Sequence, residues 1–409
     1  MHATRLPALA LLLITTGCAT GEPGDRAGVV VTDSAGIRIT TSTAPAWRTG
    51  EGWRVDTTPA LSIGDATRTD AVLLVEVGGV RLLADGRIAV ADGGEHAVRF
   101  FTAAGDRDGK LGGNGSGPGE FRGLTLVGLL GDSLLVWDPQ LDRATVVAPN
   151  GTVGRSFRIA AGDTTSGTRF GFAPVDIFED GTLLLAGRTG ASSNDQGGVR
   201  RDPVPLRRAL RTGAVGERLA VVPGTENIVV AGKGFVTVFE RPFGRRTLSI
   251  TAGKQLVVST GDFDGVLRFD STGVLGEIWR LDRARRAVSA TDVEAVAARR
   301  SVQLNQLPKE YADAIFAITK DVGYPGVLPP FDAMVRDVTG ALWLRQDVGP
   351  VLRDSIPHTW TVLDTKGRWL GEVTTPRRLE VHQITRDRIL GVWKDDDEVE
   401  HIRLYPLRR

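Results

Sequence analysis

Cysteine occurs once in the 409 residues, at Cys18, which excludes an internal disulfide framework and any Cys-based zinc cluster. Aromatic residues are also scarce, at 6%, while Gly and Pro number 51 and 20. That balance describes a turn-rich globular chain, neither disordered nor collagen-like. There is no excess of charge: 50 Lys and Arg face 49 Asp and Glu, so the electrostatic footprint of a nucleic-acid-binding protein is missing. Beyond the N-terminal leader no apolar stretch approaches the ~20 residues needed to span a bilayer. No Gly-x-Ser-x-Gly elbow is present, which removes support for an α/β-hydrolase nucleophile. His96, His358, His382 and His401 show neither His-x-His nor His-x-x-x-His spacing. The glycine run Gly112–Gly119 lacks the following Lys-Ser/Thr of a phosphate cradle and reads as a structural crossover.

What is present begins with an export signal. Residues 1–17 carry a basic Arg5, an apolar run Leu6–Ile14, and small Thr15, Thr16 and Gly17 directly before Cys18. The pattern resembles a bacterial lipoprotein signal, departing from it at Thr15, where the motif prefers Leu. The resemblance implies cleavage before Cys18 and lipidation of its thiol; the plainer alternative is a secreted protein with an incidental cysteine. Ala19 and Thr20 are not the Asp that favours inner-membrane retention. The expected address is therefore the cell envelope, as an outer-membrane lipoprotein facing the periplasm or the cell surface. Residues 18–28 are small, polar and Gly/Pro-containing, as in a flexible tether. Loss of the leader removes Arg5 and leaves the mature chain without net charge. Attachment would then depend on lipid, at ~0.8 kcal/mol per buried CH₂.

At about 100–200 residues per domain the length allows two or three domains, but an internal repeat argues for one. Its unit is a short strand, a turn, an apolar strand, a variable loop, a third strand and a turn ending in Gly. Turn positions Asp85, Asp132, Asp180, Lys254, Thr339 and Asp387 mark six copies, three of whose spacings lie near 47 residues. Units of 40–50 residues built from short strands are the signature of propeller blades. The expected fold is an all-β, six-bladed β-propeller over residues 29–409. The sixth unit has only three strands, and Ala60–Gly64 is expected to supply the fourth, closing the ring with strands from both termini. The strand pairs Ile88/Val90, Leu134/Val136, Leu183/Leu185 and Leu342/Leu344 keep one phase, with Trp137 and Trp343 adding bulk to sheets buried on both faces.

Gly115–Phe121, Asp33–Ile39, Pro242-Phe243, Leu328–Phe331 and Val392-Trp393 through Glu400–Tyr405 resemble the NHL-like six-bladed propeller family of bacterial lipoproteins. The resemblance implies the fold, without a common activity to carry over. It also implies that the loops Arg188–Pro205 and Asp347–His358 and an insertion at about 287–330, between blades four and five, open on one face. The insertion reads as helical. Thr291–Glu294 forms a capping box pattern, and Pro308 opens a second helix ending at Gly323 with a stripe Tyr311, Ile315, Ile318 and Val322. That stripe is expected to pack over the ring as a lid or brace.

The residues assigned to binding are Asp92 and Asp138, at equivalent strand ends, Asp262 and Asp264 in the corresponding loop of the fourth unit, and Arg345. Hard carboxylate oxygens converging on a channel mouth would suit Ca²⁺; the competing role for Asp92 and Asp138 is to cap turns by accepting backbone N–H bonds. Arg345 suits an anionic ligand or a neighbouring carboxylate. Asp395–Glu398 reads as a solvated hairpin tip. No catalytic residue and no cofactor is assigned. The leading expectation is a lipid-anchored envelope propeller, binding a protein, peptide or glycan through one loop-rich face and no nucleic acid. The alternative is an NHL-like metal-dependent lyase or lactone hydrolase with carboxylates at the channel mouth.

Overall fold

The computed structural model describes residues 28–65, 72–159, 171–191, 197–232 and 235–409; Cys18, the leader and the tether up to residue 27 lie outside them. The chain opens with the hairpin β1 (Val29–Ser34) and β2 (Ile37–Ser42), then β3 (Arg54–Val55) and β4 (Leu61–Ile63). The first blade is β5 (Val77–Leu82), β6 (Ile88–Asp92), β7 (Ala97–Phe101) and β8 (Arg107–Gly112). The second is β9 (Thr125–Leu130), β10 (Ser133–Asp138), β11 (Arg143–Val147) and β12 (Val153–Arg158). In the third, β13 (Phe172–Ile177) and β14 (Leu183–Gly187) are followed by β15 (Gly198–Arg200), which leaves the blade, before β16 (Pro203–Ala209) and β17 (Val215–Pro223) complete it. β15 joins β18 (Asn227–Gly232) and β19 (Phe235–Glu240) in a separate three-stranded sheet. The fourth blade is β20 (Leu248–Ala252), β21 (Gln255–Ser259), β22 (Gly265–Phe269) and β23 (Leu275–Leu281). Helices α1 (Ala290–Leu304) and α2 (Lys309–Val322) precede the fifth blade, β24 (Phe331–Arg336), β25 (Leu342–Gln346), β26 (His358–Leu363) and β27 (Trp369–Thr375). The sixth is β28 (Leu379–Ile384), β29 (Arg388–Lys394) and β30 (Glu400–Arg408).

The first strands β5, β9, β13, β20, β24 and β28 neighbour one another in that cyclic order, β28 returning to β5. This is a closed β-propeller. As expected, β4 pairs antiparallel with β30, Ile63 opposite Ile402, so the N-terminal segment completes the C-terminal blade; β3 extends the same edge. The apolar core is a ring of six layers, one between each pair of neighbouring blades. Val80, Ile88, Leu390 and Ile402 join the first blade to the sixth. Trp343, Trp360, Leu379 and Ile389 join the fifth to the sixth. Because both faces of a blade are covered, its second strand carries an unbroken apolar run.

Turns between the third and fourth strands repeat one device. Asp364 Oδ1 accepts from the backbone N–H of Lys366 and Arg368, both at 2.9 Å, and Gly367 takes the left-handed conformation, φ 81°. Asp270 and Gly273 (φ 88°) do the same in the fourth blade. The carboxylate stands in for a missing backbone acceptor while glycine turns the chain.

Several features depart from expectation. The hairpin β1–β2 lengthens the fourth blade by a parallel pairing of β2 with β23. The three-stranded sheet β15–β18–β19 is an addition to the repeating four-stranded unit. α1 is capped by Ser289, not Thr291: the Ser289 hydroxyl accepts from Asp292 N–H at 3.2 Å and the Asp292 carboxylate accepts from Ser289 N–H at 2.9 Å. Arg286 holds Asp292 in place at 2.8 Å, so the helix starts one residue after the serine. α2 does start after Pro308 and end at Gly323. Its stripe, however, covers the added sheet and not the ring: α2 lies against β15 and β18, with the Tyr311 ring 4.2 Å from that of Phe235. Among the described residues no helix is long and apolar enough to cross a membrane.

Candidate functional site

The site starts from a local irregularity of the inner strands. In five blades the pairing of first and second strands slips by one residue, leaving Gly78, Val127, Val175, Asp332 and His382 as bulges. A bulge re-aims the residue it contains. Two of the five are titratable, and they lie in adjacent blades.

Asp332 is buried and holds two guanidinium groups, Arg345 at 2.6 Å and Arg353 at 2.8 Å. Arg345 also reaches Glu380 at 2.9 Å. Burial would lower the Arg345 pKa, yet the charges of Glu380 and Asp332 and their hydrogen bonds raise it; the guanidinium stays charged. Burial likewise works against the Glu380 anion, but Arg345, with His382, holds the carboxyl below its usual range. The Glu380 side chain is 56% exposed and its carboxylate faces a cavity. His358 Nε2 lies 2.8 Å from the carbonyl oxygen of Arg353. A carbonyl only accepts, so the neutral ring carries its proton on Nε2, and its buried Nδ1 is an acceptor without a partner. Burial, and then the Arg345 charge, lower the His358 pKa.

Arg345, Arg353, His358 and Glu380 wall this cavity of about 430 Å³ at the mouth of the central channel, together with Arg378, His382 and Lys394; Asp332 does not line it but pairs with its two arginines. A further cavity of about 430 Å³ runs along the inner strands of all six blades and shares His382 with the first. His382 therefore stands between mouth and channel. Burial, reinforced by the charge of Arg81, lowers its pKa to about 4 against the attraction of Glu380. An imidazole normally titrates near 6.5, so in acid the unfolded chain takes up the proton before the folded one. This share of stability is complete above pH 6.5 and is lost as the pH falls toward 4, with about 2 kcal/mol of it going between pH 7 and pH 5. His382→Gln, which cannot titrate, should flatten the fall in urea-unfolding free energy between those pH values. An unchanged fall in the variant would refute the assignment.

The loop-rich elements do gather at the mouth. Arg299 donates to the Pro350 carbonyl at 3.2 Å and Arg286 to that of Val348 at 3.3 Å, tying the insertion to the β25–β26 loop. Arg285 donates to the Asp262 carbonyl at 3.2 Å, tying it to the fourth blade. Between α1, β19 and the Asp347–Arg353 segment lies an apolar cleft of about 450 Å³ with an arginine rim.

Of the expected binding residues, only Arg345 lines the mouth cavity, and it pairs with carboxylates. Asp92 is buried against Arg99 at 2.8 Å. Asp138 accepts backbone N–H bonds from Arg122, Gly123, Gln140 and Leu141 at 2.8–3.2 Å, the capping role in full. Asp262 pairs with Arg201 at 2.7 Å and Arg245 at 2.9 Å, and Asp264 with Arg283 at 2.6 Å. Each carboxylate is engaged locally. Among the described residues no three His, Cys, Asp or Glu side chains converge to hold a metal ion. The Gly112–Gly119 run presents carbonyls, not N–H groups: Arg143 donates to the carbonyl oxygens of Ser116, Gly117 and Glu120. A phosphate cradle needs the opposite polarity. Asp332, His358, Glu380 and His382 were missed as a group; the available signal was an acid at the second position of the first strand in units five and six.

A scan against protein-family models finds no match, and no curated protein matches the chain. Solved structures do resemble it. One is a member of the DUF4221 family from Bacteroides vulgatus, with 12% identity over 87% of this chain and 99% of that one, at a TM-score of 0.46. Another is virginiamycin B lyase from Staphylococcus aureus, with 8% identity over 88% and 100% and a TM-score of 0.40. A third is the calcium-binding protein regucalcin from Agrobacterium tumefaciens, with 13% identity over 85% and 95% and a TM-score of 0.40.

Proposed function

We propose that this chain is a cell-envelope binding module, held to the outer membrane by lipid on Cys18, that takes a small polar ligand, a peptide or glycan, in the channel-mouth cavity. The observation that carries the reading is the unpartnered, buried Nδ1 of His358 in a cavity walled by charges of both signs. A buried acceptor without a donor is costly, and a ligand N–H or O–H would satisfy it. Arg345 and Glu380, with Lys394 and Glu400 3.4 Å apart, offer fixed charges of each sign around it. The envelope address follows from the resemblance of residues 1–18 to a lipoprotein signal and of Gly115–Phe121 and its companion motifs to NHL-like lipoprotein propellers. The metal-dependent lyase or lactonase reading gains no support from Asp92, Asp138, Asp262 or Asp264, whose oxygens are already engaged.

A tripeptide library and a glycan array test the binding role. The best ligand from either should lose about tenfold in affinity, ~1.4 kcal/mol, on His358→Phe and on the surface change Lys394→Glu. Calorimetry on variants with unaltered melting temperature would decide, and equal affinity in both variants rejects the cavity. The anchor has its own test. Cys18→Ser should move the protein from the membrane fraction to the soluble fraction, and unchanged fractionation rejects lipidation.

A further inference from the structure

The helical insertion leaves most of its own surface uncovered. Of the 15 residues of α1 and the 14 of α2, only Asp292, Val296 and Thr319 are buried. Val302 and Phe316 are 62% and 61% exposed. Between the helices runs a groove of about 540 Å³, with Ala297, Leu304, Ala312 and Phe316 on its walls. Helices of this length are marginal in water without a packed face, and an exposed apolar patch of this kind marks an interaction surface.

The place where the chain enters the described structure indicates what covers that face. The Gly28 carbonyl accepts from Thr43 N–H at 2.7 Å, and the Ser42 carbonyl accepts from Asp282 N–H at 2.9 Å. Ser42 is paired with both Val29 and Leu281. Gly28 and the root of the insertion therefore sit together at one end of the fourth blade. Nine residues separate Cys18 from Gly28, and nine residues span at most about 32 Å when fully extended. α1 itself is about 22 Å long at 1.5 Å per residue. A lipid on Cys18 thus keeps a bilayer within reach of the insertion and on its side of the ring. Without net charge in the mature chain, apolar contact is the attraction available to it.

We infer that the exposed face of α1 and α2, centred on Phe316 and the groove beside it, rests on the lipid surface with its apolar side chains at the headgroup–acyl boundary. The binding mouth then faces the membrane. This rests on the lipid anchor proposed above.

The test uses the full lipidated chain on phosphatidylethanolamine/phosphatidylglycerol vesicles. Acylation occupies the Cys18 thiol, so Phe316→Cys supplies one free thiol for an environment-sensitive nitrobenzoxadiazole label. Ser271→Cys, in the β22–β23 turn at the other end of the same blade, is the control. Shallow spin-labelled lipid should quench the label at 316 by about half, as expected for a face seated 5–10 Å into the boundary, and leave the label at 271 unaffected. Chain that floats with the vesicles while the 316 label stays unquenched overturns the inference and leaves the anchor standing. Chain that fails to float overturns both. A 316 label that shifts to the blue with protein concentration and escapes lipid quenching assigns the face to a second copy and overturns the membrane contact.

Discussion

Asp332→Ala should destabilise the protein by about 3–5 kcal/mol, the range for leaving a buried charge without its partner. The carboxylate is 1% exposed and is shared by Arg345 and Arg353. Once it is gone, Arg345, itself 5% exposed, keeps only Glu380 as a counter-charge, and Arg353 loses its ion pair. Two positive groups are then left close together without the buried carboxylate that joined them. Urea-unfolding midpoints measure the loss. The double variant Asp332→Ala/Arg345→Met should recover much of it, because exchanging both members of a buried pair for apolar groups is often neutral. A single-variant loss below about 1 kcal/mol would mean that the aspartate is a solvated surface acid and not the keystone of the mouth. The same variant should abolish ligand binding at the cavity, since Arg345 and Arg353 both line it.

The blades were legible in the sequence because their physics is periodic. Ile88 and Val90, or Leu342 and Leu344, are buried for the same reason in every copy, and a repeat spacing near 47 residues follows from four strands and three turns. Ring closure was legible too, since a blade one strand short and a spare N-terminal strand imply each other. The mouth was not legible, and the bulges explain why. Alternation by twos places Asp332 and His382 on a predictable face only while the pairing register holds, and at both residues it slips. The expected carboxylates Asp92 and Asp138 end second strands, whose pairing with the third strand stays in register, and there the strand-end acid serves its own turn or an adjacent arginine. Asp262 and Asp264 are engaged by arginines for another reason. With 43 arginines in the chain, an aspartate in a loop readily finds a guanidinium. The added sheet escaped notice because β15 is three residues long and finds its partner β18 across an intervening pair of blade strands.

Trp343→Ala should cost about 3–5 kcal/mol, the value for truncating a fully buried tryptophan, and the form of the loss tests ring closure. Trp343 has no exposed surface and fills the layer between the fifth and sixth blades with Trp360, Leu379 and Tyr405. Its indole N–H donates to Asp337 Oδ2 at 3.0 Å. Asp337 is buried and uses its other oxygen to cap the turn at Thr339 and Ala341, so truncation opens a cavity and leaves a buried acceptor without its donor. In an open array of repeats, damage at one interface would let the terminal units unfold separately. Here the sixth blade is bound to the first through β4 and the layer around Ile63 and Ile402, so neither neighbour of the damaged layer is a free end. The variant should therefore unfold in one transition with the urea slope of the parent and a lower midpoint. A second transition, or a smaller slope with part of the strand signal lost early, would show that the ring opens at this seam and that closure by β4 is too weak to couple the blades. Trp343→Phe separates the two costs: it keeps most of the packing and loses the hydrogen bond to Asp337, so its deficit should be nearer 1–2 kcal/mol.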